Sequence, residues 1–115
     1  MYRIDVAEDC NPMGNMHGGR IATIVDSTTS LVAEVARPGR TTVTMDLSVS
    51  YLKGIDCQKV ENVVIESMLE GGGRKICFTS CKIKSSDESV TYALGRQTQM
   101  MVPDEHALFK PEDFE

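Results

Sequence analysis

The chain has 115 residues, 41% hydrophobic and 25% charged, the make-up of one soluble globular domain whose core needs no staples. Its net charge of −5, with no basic cluster beyond Arg74-Lys75 and Lys82/Lys84, argues against nucleic acid as a partner. No apolar run approaches the ~20 residues that cross a bilayer, so no membrane insertion is expected, and residues 1–6 lack the apolar centre of a signal peptide.

In chain order, Ile4 and Val6 flank Asp5 in the alternation of a short first strand. Residues 10–16 are rich in turn formers and read as a loop. From Gly18 to Ala36 there is no proline, and apolar residues fall at Ile21, Ile24, Val25, Leu31, Val32, Val35 and Ala36, the steps of a helix. Arg37-Pro38-Gly39 stops it. Residues 42–52 alternate strictly, with Val43, Met45, Leu47, Val49 and Tyr51 on one side of the chain and hydroxyls or Asp46 on the other. That pattern predicts a half-buried strand. Further strands are expected at residues 59–69, 74–84 and 89–101. The gaps between them, Gly71-Gly72-Gly73 and Ser85-Ser86-Asp87-Glu88, suit hairpins of an antiparallel meander. Residues 1–102 thus form one domain, followed by an acidic tail, 103–115. A helix of ~27 Å can cover the face of such a sheet only if the sheet curls around it, an α+β layer architecture with a central helix.

The four cysteines, Cys10, Cys57, Cys77 and Cys81, form no C-x-x-C pair and no zinc spacing, so no metal site is expected. Cys77 and Cys81 would lie ~13 Å apart on a strand, too far to bridge each other. All four read as core or surface thiols of a reducing compartment, cytoplasmic or mitochondrial.

The chemistry concentrates in residues 11–26. His17, Gly18 and Gly19 stand at the mouth of the helix, where unpaired N–H groups and partial positive charge can hold a developing oxyanion. Asp26 places a carboxylate inside the apolar run, a candidate base or nucleophile. Taken singly, each has a plainer reading. Asp26 could be a structural group bonded to Thr29, Ser30 or Thr44, and Asn11 before Pro12 could simply start a turn. His17 and Asp26 are nine residues apart, ~13 Å along a helix and half a turn around it, so they cannot meet at one substrate atom within one subunit. If both work in one site, a twofold dimer must supply one of them.

Asn11-x-x-Gly14-x-x-His17-Gly18-Gly19, then Ala22-Thr23 and Asp26, resembles the signature of the hotdog-fold acyl-coenzyme A thioesterases. The likeness continues through Val43-Thr44-Met45-Asp46, Ser50-Tyr51, Phe78-Thr79-Ser80 and Gly95-Arg96-Gln97-Thr98, and covers residues 4–101. It implies a curled antiparallel sheet around one long helix and hydrolysis of acyl-coenzyme A, medium- to long-chain fatty acyl groups included, with no cofactor beyond the coenzyme A of the substrate. It assigns Asp26 as the catalytic carboxylate, activating water or attacking the thioester carbon. General base is preferred, because direct attack requires a later anhydride hydrolysis. Gly18 would polarise the thioester carbonyl through its N–H, with His17 ordering the turn, and Asn11 would hold the water or carbonyl. Thr44 falls where relatives carry a serine. Tyr51, Leu52, Lys53, Gly54, Gly73, Arg74, Lys75 and Arg96 fall where relatives hold coenzyme A. A homodimer is required by this reading, and a homotetramer fits it. The alternative is a non-catalytic hotdog module that binds acyl-coenzyme A or a protein partner.

Overall fold

A computed structural model describes residues 2–5 and 10–103; Val6 of the expected first strand and residues 104–115 of the expected tail lie outside the described residues. The elements are β1 (Tyr2–Asp5), α1 (Gly18–Ala36), β2 (Arg40–Tyr51), β3 (Asn62–Gly72), β4 (Ile76–Ser85) and β5 (Thr91–Pro103). All strand pairs are antiparallel, in the order β1-β3-β4-β5-β2. The sheet curls around α1, which packs on β2, β3, β4 and β5. This is the α+β, hotdog-type layering that the sequence led us to expect.

The helix keeps its span despite the run Ser27-Thr28-Thr29-Ser30. The hydroxyls of Thr28 and Thr29 donate back to the carbonyls of Ile24 and Val25 at 2.8 and 2.6 Å, which lets these residues stay helical while buried. Ile24 and Val25 pack with Ile55, Val63, Ile65 and Ile83 in the main core. At Gly95 the helix rests on bare backbone: a Cβ there would lie 2.3 Å from Cγ1 of Val25. After the helix, the Arg37 N–H donates to the Ala33 carbonyl at 3.0 Å and Gly39 turns the chain at φ +84°.

The meander β3–β4–β5 forms as expected, with Gly72 at φ +124° in the first hairpin, where a Cβ would strike the Ile76 carbonyl oxygen at 2.2 Å. β3 begins at Asn62 rather than residue 59, because Asp56 organises a turn there. Its carbonyl accepts from the Lys59 and Val60 amides, and its carboxylate accepts from the Gln58 amide at 2.9 Å. β5 runs to Pro103, two residues beyond the expected end.

Two expectations are corrected. β2 is not half-buried along its length: it is the outermost strand beyond β5, and residues 43–48 are exposed on both faces. Nor is its alternation strict in space. Thr44 lies opposite Gln99 but Leu47 lies opposite Gln97, so Met45 is an additional residue in a β-bulge. Thr44 and Leu47 therefore share the face toward the helix, although the sequence pattern places them on opposite faces.

The second correction concerns the cysteines. Cys10 and Cys57, expected as thiols, form a disulfide with their Cα atoms 6.2 Å apart. The loops on either side hold them together: Met16 N–H donates to the Ile55 carbonyl and Cys57 N–H to the Gly14 carbonyl, both at 2.9 Å. A separation of 47 residues carries no spacing signal, so the sequence could not reveal the pair. The bond removes the cysteine argument for a reducing compartment. Cys77 and Cys81 are free and buried, and burial pushes the Cys81 thiol above its usual pKa, away from nucleophilic use.

Candidate active site

α1 presents an open mouth. His17 is its N-cap residue and makes no side-chain cap, and no acidic residue sits in the first turn to offset the positive end of the helix. The preceding loop is built by Asn11, whose Oδ1 accepts from the amides of Met13 and Asn15, both at 3.0 Å. Asn11 thus shapes the loop, with its carbonyl oxygen already engaged and only its NH2 left for a ligand. The Gly18 carbonyl accepts a 2.7 Å bond from the Tyr51 hydroxyl, which ties the end of β2 to the helix start. Leu52 and Lys53 follow, their amides donating to the Tyr92 carbonyl, and Gly54 lies against the Asn15 side chain, which a Cβ there would meet at 3.4 Å, in van der Waals contact.

Asp26 is half-buried in mid-helix. Its Oδ1 accepts from Gln97 Nε2 at 2.9 Å and lies 3.4 Å from the Ser30 hydroxyl. Among the described residues no donor reaches Oδ2. The Thr44 hydroxyl donates to Gln97 Oε1 at 3.0 Å, so Asp26 and Thr44 meet through one side-chain amide. Behind them, Gln99 Nε2 donates to Ser30 at 3.1 Å and its Oε1 accepts from Thr79 at 3.0 Å.

Sequence reasoning therefore brought Asp26 and Thr44 to one place but missed Gln97 and Gln99. The sequence carried no signal for them: only in the structure do the two glutamines share the helix-facing row of β5 with Ala93, Gly95 and Met101, where long polar side chains are out of place.

The expected coenzyme A residues divide. Tyr51, Leu52, Lys53 and Gly54 cluster at the helix mouth. Gly73, Arg74 and Lys75 lie at its other end, where the Gly73 carbonyl accepts from Arg37 Nε at 3.1 Å. The 19-residue helix separates the two groups by about 28 Å. Arg96 faces away from the helix, in a cleft of about 380 Å³ with Ser48, Ser50, Glu70 and Ser80. Within one chain His17 and Asp26 remain on separate turns.

A model of the Thioesterase superfamily matches residues 13–92. The chain belongs to that superfamily. It is similar to acyl-coenzyme A thioesterase THEM4 of Xenopus laevis, 43% identical over 82 residues, covering 70% of this chain and 35% of the relative. It is also similar to human acyl-coenzyme A thioesterase 13, 27% identical over 92 residues, covering 80% and 64%. The thioesterase domain described here thus spans about a third of the first relative and under two-thirds of the second. In fold it is similar to zebra fish thioesterase superfamily member 2, with a TM-score of 0.78 at 24% identity over 85% of this chain and 70% of that one. A protein of Bacillus halodurans solved with CoA gives a TM-score of 0.77 at 20% identity, covering 87% and 65%. These likenesses identify the curled sheet and central helix as the hotdog thioesterase fold. No helix among the described residues is long and apolar enough to cross a membrane.

Proposed function

We propose that this chain is an acyl-coenzyme A thioesterase acting on medium- to long-chain fatty acyl groups. The observation that carries the reading is the Asp26 carboxylate, anchored through Oδ1 with Oδ2 left without a protein donor among the described residues. Water donating to Oδ2 attacks the thioester carbon as its proton passes to Asp26. The carbonyl oxygen, now an oxyanion, rests on the Gly18 N–H at the helix mouth. Collapse re-forms the carbonyl, breaks the C–S bond and returns the proton from Asp26 to the thiolate, giving free acid and coenzyme A. A donor at an oxyanion is worth about 10²–10³ in rate, and a positioned base about 10²–10⁴.

The mouth and the carboxylate come from two copies in this reading. β2 is a 12-residue edge strand that exposes Val43, Met45 and Leu47, an edge suited to pairing. Antiparallel pairing about a twofold axis sets the Tyr51 end of one strand beside the Arg40 end of the other. Lys75 lines the same pocket as Arg40. The Gly73-Arg74-Lys75 turn of one copy then lies beside the helix mouth of the second, which reunites the divided coenzyme A residues.

Free-thiol release over short, medium, long and aryl acyl-coenzyme A substrates tests the reading, with molar mass measured in solution. Turnover should centre on the longer fatty acyl chains in a dimer or tetramer, and Asp26→Asn should lower kcat by at least about 10²-fold. Unchanged turnover in Asp26→Asn, or an active monomer, overturns it.

A further inference from the structure

Gln97 is 2% exposed, and a buried side-chain amide destabilises a fold unless its hydrogen bonds are made. They are made at both ends. Nε2 donates to Asp26 Oδ1 at 2.9 Å and to the Thr29 hydroxyl at 3.0 Å, while Oε1 accepts from Thr44 at 3.0 Å and lies 3.5 Å from the Ser30 hydroxyl. The chemistry of the partners fixes which way the amide points. An ionised carboxylate only accepts, so the NH2 must face Asp26, and the Thr44 proton must then turn inward to Oε1. Two consequences follow for the outward side. Asp26 is held by Oδ1, which leaves Oδ2 to the water, and Thr44 turns lone pairs rather than its proton toward the site.

From this geometry we infer that Gln97 is a positioning residue for the hydrolytic water. It aims the carboxylate and the threonine hydroxyl together, so that water meets two acceptors, Asp26 Oδ2 and Thr44 Oγ1, and keeps a lone pair for the thioester carbon. Gln99 supports the arrangement from behind through Ser30. The inference rests on the thioesterase reading above. It differs from a packing role in its signature: misaiming the base lowers kcat and leaves substrate affinity alone.

The test compares Gln97→Leu, Asp26→Asn and the double variant in the free-thiol assay, with thermal unfolding of each. Gln97→Leu is expected to lower kcat by about 10²-fold, since small misplacements of reacting groups have effects of that size, with KM within about threefold of the parent. In the Asp26→Asn background the same change should lower kcat by less than about twofold, because Gln97 acts through Asp26. If Gln97→Leu does not fold, Gln97→Glu keeps the shape and the Oε1 acceptor but puts an oxygen where Nε2 donated, setting a carboxylate against Asp26; it should show the same fall in kcat at constant KM. Unchanged kcat in the folded variant, or an equal loss in both backgrounds, overturns the inference. A harmless Asp26→Asn instead overturns the thioesterase mechanism, so the two failures are distinct.

Discussion

The Tyr51 hydroxyl donates to the Gly18 carbonyl at 2.7 Å, so the last residue of β2 holds the first residue of α1. The strand that forms the edge of the sheet thereby fixes the helix mouth where the oxyanion is proposed to form. A peptide unit anchored through its carbonyl has less freedom to rock its neighbouring amides. Tyr51→Phe removes this one bond without removing the ring. We expect kcat/KM to fall roughly fivefold, the equivalent of about 1 kcal/mol for one hydrogen bond, with thermal stability close to the parent. Steady-state kinetics on the best substrate of the panel would check it; an unaffected kcat/KM would mean that the mouth is ordered by the loop alone.

The Cys10–Cys57 disulfide makes a second prediction. It closes a chain segment with a separation of 47 residues, and loop-closure entropy for that length corresponds to about 4 kcal/mol of stability. Denaturant unfolding of the oxidised protein should therefore show a markedly higher midpoint than the reduced protein or Cys10→Ser. The slope should also differ, because the cross-link keeps the unfolded chain more compact. Coincident curves with and without reductant would refute a stabilising role.

A third prediction concerns acid. Asp87, in the turn between β4 and β5, accepts from the Ser85 hydroxyl at 2.7 Å and from the Ser89 amide and hydroxyl at 3.0 and 2.7 Å. These bonds favour the ionised form and hold its pKa down to about 2, from an ordinary 3.8. A folded-state pKa below the unfolded one means stability that is complete above 3.8 and lost as pH falls toward 2. Asp87→Ala should be less stable than the parent at neutral pH, with the gap closing across that acid window. Glu66, lowered by its ion pair with Lys84, titrates in both proteins and cancels in the difference. A gap that stays constant through the window would refute the assignment.

The parts of this fold that repeat with a period were legible in the sequence. The helix begins at Gly18 and ends at Ala36 as its apolar spacing and the Pro38-Gly39 stop require. The hairpins after β3 and β4 follow from their glycines and from the Ser-Asp turn. What stayed hidden depends on contacts between distant segments. The extra residue at Met45 reverses which side chains of β2 face inward, and nothing in an alternating sequence marks where alternation slips. Cys10 and Cys57 meet only because two loops run side by side. Asp26 and Thr44 were legible as candidates, but the group that joins them was not. Gln97 looks like any polar residue on a strand until β5 turns that row toward the helix.

Gly95 adds no functional group to the site, yet it sets the gauge of the joint in which the site is built. Val25 rests on it, and Asp26 and Gln97 stand immediately beyond that contact, one on each layer. A glutamine amide has a fixed reach. It can bridge helix to sheet only where the two surfaces are as close as a missing side chain allows. A methyl group on Gly95 would act as a shim, lifting the helix off the sheet and drawing the amide away from the carboxylate it aims. The tolerance of the chemistry is thus set by an empty position two residues along the strand.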